Sequence, residues 1–307
     1  MKFNLDNLYQ IESGASHKKI YRFKNQNKGK VVVDFSYNHE DYLAFLEVNN
    51  FLSSINISVP KIFDADHTKS IIFMEDFGDI RYDKLINSIA LKEILINAVN
   101  SLIEIQNTKK PIINNIFKQY DLSSFKIEIA EFIDFYLPIN NISNDIADEF
   151  FNIWIQEFKN INFKFDSFVH KDFELINLMY LPKRNDHLKC GILDFQNACK
   201  GFSGWDLFSL LENPRIYFDD KYNDELLKYF FSKTKQNIPF NEFFIQYYFL
   251  NTARQTRIIG RWINLDKKNK NNYYSNYLNV TLKRLKKSLF KLQNKRLSKL
   301  YDKIIVK

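Results

Sequence analysis

The sequence predicts a two-lobed α+β fold, in which a small N-terminal lobe built on an antiparallel sheet precedes a larger, mainly helical C-terminal lobe. Short β-like runs separated by turns fill the first part of the chain. From about Ala90 onward, apolar residues recur at helical spacing. A chain of 307 residues is also long enough to form more than one core. We therefore expect one lobe at residues 1–79 and the other at residues 80–307.

The N-terminal lobe is expected to contain five strands and one amphipathic helix. Its first turn, Ser13-Gly14-Ala15-Ser16, presents backbone N–H groups that suit an anion. The run Glu75-Asp76-Phe77-Gly78-Asp79 ends the strand pattern and predicts a hinge after the sheet. The predicted strands lie at residues 8–13, 16–23, 30–35, 59–63 and 70–74, and the helix lies at 39–52.

The segment from Phe168 to Ala198 carries the candidate chemistry. It is predicted to be a strand, a polar loop and a hairpin whose strands, 178–181 and 188–193, are joined by a turn at 182–187. Because a hairpin folds back on itself, Asn177 at its start and Asp194 at its end come together, with Asp172 nearby. Carboxylate and amide oxygens are the ligands that magnesium prefers, and a further carboxylate can accept a proton. These residues predict a phosphoryl-transfer site.

Three stretches carry a resemblance to known enzymes: HKDFELINLM, GILDFQNA and GFSGWDLFSLL. The spacing H-x-D-x-x-x-x-N followed by D-F resembles the protein-kinase catalytic loop and its metal-binding aspartate. The stretches together resemble the aminoglycoside phosphotransferase-like or choline-kinase-like small-molecule kinases. Among these they are most similar to the bacterial kinases that phosphorylate the anomeric hydroxyl of N-acetylmuramate and N-acetylglucosamine. The resemblance covers residues 11–266 or so.

The resemblance implies a two-lobed protein-kinase-like fold that uses ATP and Mg, a small-molecule acceptor and a role in cell-wall sugar recycling. It implies that Asp172 is the general base, that His170 orients the loop and that Lys171 lies near the transferred phosphate. Asn177 and Asp194 are the implied metal ligands. The implied nucleotide-binding residues are Ser13, Gly14, Ser16, Lys18, Lys30, Glu75, Phe77 and Met179.

Three positions depart from the usual kinase pattern. The third strand, VVVDFS, lacks the lysine that reaches the nucleotide phosphates, and the anomeric amino-sugar kinases resemble this chain in that respect. Glu174 and Ile176 stand where such enzymes usually carry histidine and a small or polar residue. The sequence leaves open which cation replaces the missing lysine, and which of Glu40 and Glu47 faces the nucleotide. The candidate cations are Lys18, Lys19, Arg22 and Lys30.

The C-terminal lobe is expected to contain helices at residues 91–106, 123–137 and 144–158, the second ended by Pro138, and a long helix at 241–262. Arg254, Arg257 and Arg261 lie on one face of the long helix. They predict either contact with the acceptor or a salt-bridged surface stripe. Glu131, with Glu128 and Asp134 on the second helix, is a candidate for contact with a cationic acceptor.

The basic charge is concentrated at the end of the chain. Residues 281–307 hold ten of the 44 basic residues but one of the 36 acidic ones, so the other residues are close to neutral. Apolar residues at 278, 282, 285, 289 and 292 predict one amphipathic helix there, docked on the larger lobe. Contact of this helix with nucleic acid or an anionic membrane surface stays open.

We expect a cytoplasmic protein, because no signal-like or membrane-spanning apolar segment is present. We also expect no metal–cysteine cluster. Two alternatives to the amino-sugar kinase remain at this stage. One is a kinase of choline, ethanolamine, homoserine or an aminoglycoside. The other is a catalytically inactive, kinase-like binding protein that uses its basic tail.

Overall fold

The protein is represented by a computed structural model that describes residues 8–11, 18–24, 29–86, 91–108, 113, 116–216 and 220–305. The chain divides into two compact units. The first unit comprises residues 1–112 and 170–198, and the second comprises residues 113–169 and 199–307. An N-terminal antiparallel sheet and a larger helical part confirm the predicted α+β class. The boundary predicted after Asp79 stays a prediction.

The described residues form strands and helices in the following order along the chain. The strands are β1 Leu8–Ile11, β2 Lys19–Phe23, β3 Lys30–Asp34, β4 Ile62–Asp66, β5 Ile71–Glu75, β6 Phe165–Val169, β7 Leu178–Tyr180, β8 Cys190–Ile192 and β9 Cys199–Phe202. The helices are α1 His39–Ser54, α2 Tyr82–Leu85, α3 Leu91–Gln106, α4 Leu122–Ile139, α5 Asn144–Asn160, α6 Trp205–Leu211, α7 Asp220–Lys233, α8 Phe240–Asn269, α9 Leu278–Leu292 and α10 Lys295–Ile304.

The first unit is built on a five-stranded antiparallel sheet in the order β1-β2-β3-β5-β4. The apolar side chains of the central strands β3 and β5 are buried, as the continuous run VVV predicts. Helix α1 begins at the Asn38 cap, and its Tyr42 and Phe45 rings contact Phe35 at the end of β3. The predicted strand at 59–63 is wrong in its bounds. β4 begins at Ile62 because Pro60 has no N–H to donate to a ladder.

The hairpin predicted beside the candidate catalytic residues is β7 and β8 of the first unit, paired so that Leu178 faces Ile192. Each strand is shorter than predicted. β7 ends at Tyr180, and β8 begins only at Cys190 because a 3₁₀ turn occupies residues 186–189. The hairpin is held by its own unit. Ser58 donates to the Leu188 carbonyl at 2.6 Å, and Ser101 donates to the His187 carbonyl at 2.8 Å.

The second unit pairs β6 with β9 and is otherwise helical in its described residues. Helix α4 continues through Pro138 to Ile139, so the predicted stop before the proline is wrong by two residues. Pro138 has no N–H to donate to the carbonyl four residues before it, and the helix ends one residue later, at Ile139. No described helix is both long and apolar enough to cross a membrane.

The basic tail forms two helices, α9 and α10, instead of the single predicted helix. The chain turns at Gln293, which has a left-handed backbone, and Asn294 then caps α10. Several tail cations have acidic partners within the second unit. The pairs are Lys287–Glu212 at 2.8 Å, Lys291–Asp224 at 3.0 Å, Arg296–Glu157 at 2.9 Å and Lys303–Glu149 at 3.0 Å.

Gly260 marks the closest approach of α8 and α4. A Cβ atom at this position would lie 2.1 Å from the Glu131 carbonyl oxygen and 2.7 Å from the Phe132 nitrogen. These neighbours are backbone atoms and cannot move aside as a side chain can. The contact therefore requires glycine.

We predict that Gly260→Ala destabilises the protein by about 1–3 kcal/mol, the usual cost of an overpacked core. Helix propensity alone predicts the opposite sign, since alanine in a helix is more favourable than glycine by about 1 kcal/mol. Urea denaturation decides between them, with Lys268→Ala on the exposed part of the same helix as control. A Gly260→Ala protein more stable than the wild type would contradict the close contact.

Candidate active site

The loop from His170 to Asn177 is folded by its own backbone. The Asp172 carbonyl accepts hydrogen bonds from the Asn177 side-chain nitrogen at 2.9 Å and from the Glu174 N–H at 2.8 Å. Asn177 N–H donates in turn to the Glu174 carbonyl at 2.8 Å. Lys171 has a left-handed backbone, with φ of 73°, which turns the chain before Asp172. These bonds fix Asp172 and Asn177 relative to each other.

Glu174, one of the two unexpected loop residues, is buried, and its extended backbone caps the 3₁₀ turn at 175–177. Glu174 contributes its backbone carbonyl to the loop, where that carbonyl accepts the Asn177 N–H. Ile176, the other one, lies within that turn and is half-buried. Both departures are accommodated without a break in the hydrogen bonds that hold Asp172.

His170 is fully buried behind the loop. Its Nε2 lies 3.0 Å from the Leu193 carbonyl oxygen, and its Nδ1 accepts the Asp172 N–H at 3.3 Å. A carbonyl can only accept, so Nε2 carries the proton and Nδ1 does not. Burial lowers the pKa of His170, which agrees with this neutral form. His170 thereby links the loop to the end of β8.

Asp194 follows β8 in a left-handed conformation, with φ of 63°. The hairpin places it beside Asn177, because Leu193 N–H donates to the Asn177 carbonyl at 3.0 Å. Its carboxylate forms an ion pair with the Lys18 ammonium, and their side chains are 29% and 8% exposed. Burial alone would raise the pKa of Asp194. The charge of Lys18, with hydrogen bonds from Lys18 and Gln196, outweighs burial and holds that pKa below its ordinary value.

Of the four candidate cations, the structure brings Lys18 to the site. Lys19 is exposed, Lys30 lies over the Phe63 and Phe73 rings, and Arg22 contacts the hinge. The sequence could not make this choice, because Lys18 and Asp194 are 176 residues apart. Glu40 and Glu47 are both exposed on α1.

The donor atoms at this site fit magnesium. Asp194 offers a carboxylate, and Asn177 offers its amide oxygen because its amide nitrogen is bonded to Asp172. Hard oxygen donors of this kind, one of them charged, are typical of Mg²⁺ sites that also use substrate phosphates.

The hinge residues predicted to bind the nucleotide lie along β7 and β8. Tyr180 N–H donates to the Ile80 carbonyl at 2.7 Å, and Met179 is buried opposite Arg81. The Phe77 ring packs on Gly191, where a Cβ atom would lie 2.7 Å from the ring. Ser13, Gly14 and Ser16, also predicted to bind nucleotide, are outside the described residues.

The curated relatives named here share one name. No protein-family profile matches the chain. A curated N-acetylmuramate/N-acetylglucosamine kinase of Caulobacter vibrioides is 28% identical over 181 residues, which are 56% of this chain and 50% of that protein. A protein of the same name from Pseudomonas aeruginosa is 24% identical over 262 residues, 82% of this chain and 75% of that protein. The chain thus spans half of the first relative and three quarters of the second.

A solved structure of a mutant aminoglycoside 2′-phosphotransferase-IIIa in complex with GDP has a TM-score of 0.64 to this chain. The two are 11% identical, and the match covers 96% of this chain and 95% of that one. This chain has the aminoglycoside phosphotransferase fold. The predicted fold is therefore confirmed, and the names of the curated relatives and of the solved structures match the predicted resemblance.

Within this aminoglycoside phosphotransferase fold, the predicted substrate residues Arg254, Arg257 and Glu131 belong to the second unit. Arg254 is buried on α8. Arg257 lies 3.7 Å from Glu128, which also accepts the Tyr120 hydroxyl at 3.1 Å. Arg261 donates to Glu131 at 2.7 Å. Two arginines of one α8 face thus pair with acids of α4. The predicted surface stripe is matched only in part, because Arg261 is exposed but Arg257 is half-buried and Arg254 is buried. Acceptor contact stays a prediction.

We predict that Lys18→Met destabilises the ligand-free protein by about 2 kcal/mol, because it leaves a largely buried carboxylate without its counter-charge. The neighbouring, exposed Lys19→Met is the matched control and should change stability by less than about 0.5 kcal/mol. Denaturation of both variants measures this, and adding Asp194→Asn should restore part of the loss. Equal stability of the two lysine variants would contradict the ion pair.

Proposed function

We propose that this chain is an ATP- and magnesium-dependent kinase that phosphorylates the anomeric hydroxyl of N-acetylmuramate or N-acetylglucosamine. The observation that carries the kinase proposal is the buried Lys18–Asp194 ion pair beside Asn177, with Asp172 held in the same loop. The names of the curated relatives support the choice of acceptor.

On the nucleotide side, Asp194 and Asn177 would hold magnesium. When bound there, magnesium would offset the negative charge that develops on the nucleotide phosphates during transfer. Lys18 supplies a second positive charge at the same carboxylate, and its low exposure keeps that charge from being screened by water. In this proposal Lys18 takes the part of the lysine that the third strand lacks.

On the acceptor side, the Asp172 carboxylate accepts the proton of the attacking hydroxyl. The acceptor oxygen forms a bond to the γ-phosphorus, the bond from that phosphorus to the bridging oxygen of the leaving ADP breaks, and the proton stays on Asp172. The hydrogen bonds of the loop hold the backbone of Asp172, and its side chain is half-buried. Lys171, the preceding residue, would lie near the transferred phosphate.

The base of the nucleotide is proposed to bind at the hinge, against Glu75, Phe77 and Met179. Adenine would be recognised there by backbone groups, and Met179 would cover one face of the ring as a buried, adaptable apolar side chain. The hinge and Met179 lie together in the first unit, which supports this assignment.

For the acceptor, the names of the curated relatives favour an N-acetylated sugar over a cation. Arginine recognises a carboxylate by two parallel hydrogen bonds, and N-acetylmuramate carries one. On this chemistry Arg254 and Arg257 are the proposed acceptor contacts, with Glu131 holding Arg261. Arg257 also pairs with Glu128, so the acceptor would take the place of that carboxylate.

We predict that Asp172→Asn lowers kcat by roughly 10²- to 10⁴-fold, the usual contribution of a general base, and leaves ATP affinity unchanged. Steady-state kinetics and direct ATP binding measure the two effects separately. The exposed Asp64→Asn serves as control. Full kcat in Asp172→Asn with every active acceptor would remove Asp172 from the role of base.

We predict ATP consumption with N-acetylmuramate and N-acetylglucosamine in a panel that also contains choline, ethanolamine, homoserine and kanamycin. A phosphate on the anomeric oxygen abolishes the reducing end of the sugar, so a reducing-sugar assay of the product identifies the position. Turnover with a cationic acceptor and none with either sugar would contradict the acceptor while leaving the kinase intact. Absence of nucleotide binding would instead favour the inactive, kinase-like binding protein.

A further inference from the structure

The hinge segment Glu75–Asp79 is shaped by hydrogen bonds within the protein. Asp76 N–H donates to the Gly29 carbonyl at 2.9 Å, and Gly78 N–H donates to the Asp76 carboxylate at 2.8 Å. Gly29 and Gly78 both have left-handed backbones, with φ of 84° and 80°. Glycine adopts this conformation without strain, so the turn is encoded locally.

Arg22 of β2 grips this turn. Its Nε lies 2.6 Å from one oxygen of the Asp76 carboxylate, and its Nη2 lies 2.9 Å from the other. The same Nη2 donates to the Gly78 carbonyl at 2.9 Å. The Arg22 and Asp76 side chains are 16% and 15% exposed, so this two-pronged pair is shielded from solvent. A further bond to Asp79 contributes little, because that side chain is 83% exposed.

Arg184, in the turn between β7 and β8, holds the hinge from the catalytic hairpin. Its Nη2 lies 2.7 Å from the Glu75 carboxylate, and its guanidinium lies 5.0 Å from the centre of the Phe77 ring. The other Glu75 oxygen accepts the Lys61 N–H at 3.2 Å. Phe77 itself packs on Gly191. Both ends of the hinge therefore have an arginine contact, one from the sheet and one from the hairpin.

We propose that Arg22 and Arg184 form a hinge clamp, a pair of positioning residues that fix residues 75–79 in the conformation that receives the nucleotide base. This inference rests on the proposed function, since it places a nucleotide at the hinge. Neither arginine belongs to the Lys18, Asn177 and Asp194 group. The hinge clamp therefore sets affinity for the base, and not affinity for the phosphates or the rate of transfer.

The expected loss of affinity follows from the fraction of free protein whose hinge has the binding conformation. When the binding conformation is only a fraction of the free protein, the apparent Kd rises by the inverse of that fraction. If loss of one clamp arginine leaves the hinge correctly shaped in about a tenth of the molecules, affinity for any adenine-containing ligand falls roughly 10-fold. A ligand without a base is not affected.

Titration calorimetry of the full chain with three ligands tests this: adenosine, Mg-ATP and Mg-tripolyphosphate. In Arg22→Gln and in Arg184→Gln, adenosine and Mg-ATP should each bind roughly 10-fold more weakly, with tripolyphosphate unchanged. Arg22→Lys keeps the charge but loses the planar fork, so it should recover part of the affinity at most. The KM for ATP should rise in step with Kd, and kcat at saturating ATP should not change.

The control is Arg296→Gln, which removes an arginine from a carboxylate pair with Glu157 in the second unit and should leave all three affinities as in the wild type. If Arg22→Gln does not fold, the same binding measurements on Arg184→Gln still test the hinge clamp. Wild-type adenosine affinity in both clamp variants would overturn the hinge clamp, as would equal loss of adenosine and tripolyphosphate. If the wild type binds none of the three ligands, the proposed function fails together with the inference.

Discussion

The buried ion pair between Lys18 and Asp194 is the interaction on which the site depends. The Lys18 side chain is 8% exposed and that of Asp194 is 29% exposed, so each charge is partly removed from water and compensated by the other. The pair also joins the start of β2 to the end of the catalytic hairpin, which are distant in sequence. The third strand has no lysine in the slot where a kinase normally carries one. Of the two residues that could occupy that slot, Val33 is fully buried in the sheet and Asp34 is half-buried.

The site combines two kinds of positioning. Asp172 is placed locally, by hydrogen bonds within a loop of a few residues and by a neutral His170 behind it. Lys18 and the hinge are placed by long-range ion pairs. Lys18 pairs with Asp194, and Arg22 pairs with Asp76 of the hinge. Because Lys18 directly precedes β2 and Arg22 lies on it, this strand orders the phosphate end and the base end of the proposed nucleotide site together.

The sequence predicted the catalytic hairpin and its convergence of Asn177 and Asp194 because these follow from local patterning and turn residues. Choosing Lys18 over Lys19, Arg22 and Lys30 required the tertiary structure, since nothing in their sequence context distinguishes them. The Arg22 and Arg184 contacts were missed for the same reason. The tail was predicted as one helix from an apolar stripe that ends at Leu292. The turn at Gln293 was missed because a left-handed residue other than glycine gives no clear signal.

Binding of ATP with and without magnesium is the most direct test of the central claim, that Asp194 is both the partner of Lys18 and a metal ligand. Calorimetry should show that magnesium tightens ATP binding to the wild type. In Asp194→Asn, which keeps the shape of the side chain but loses its charge, magnesium should no longer tighten binding. Magnesium-ATP affinity equal to that of the wild type in this variant would contradict the account.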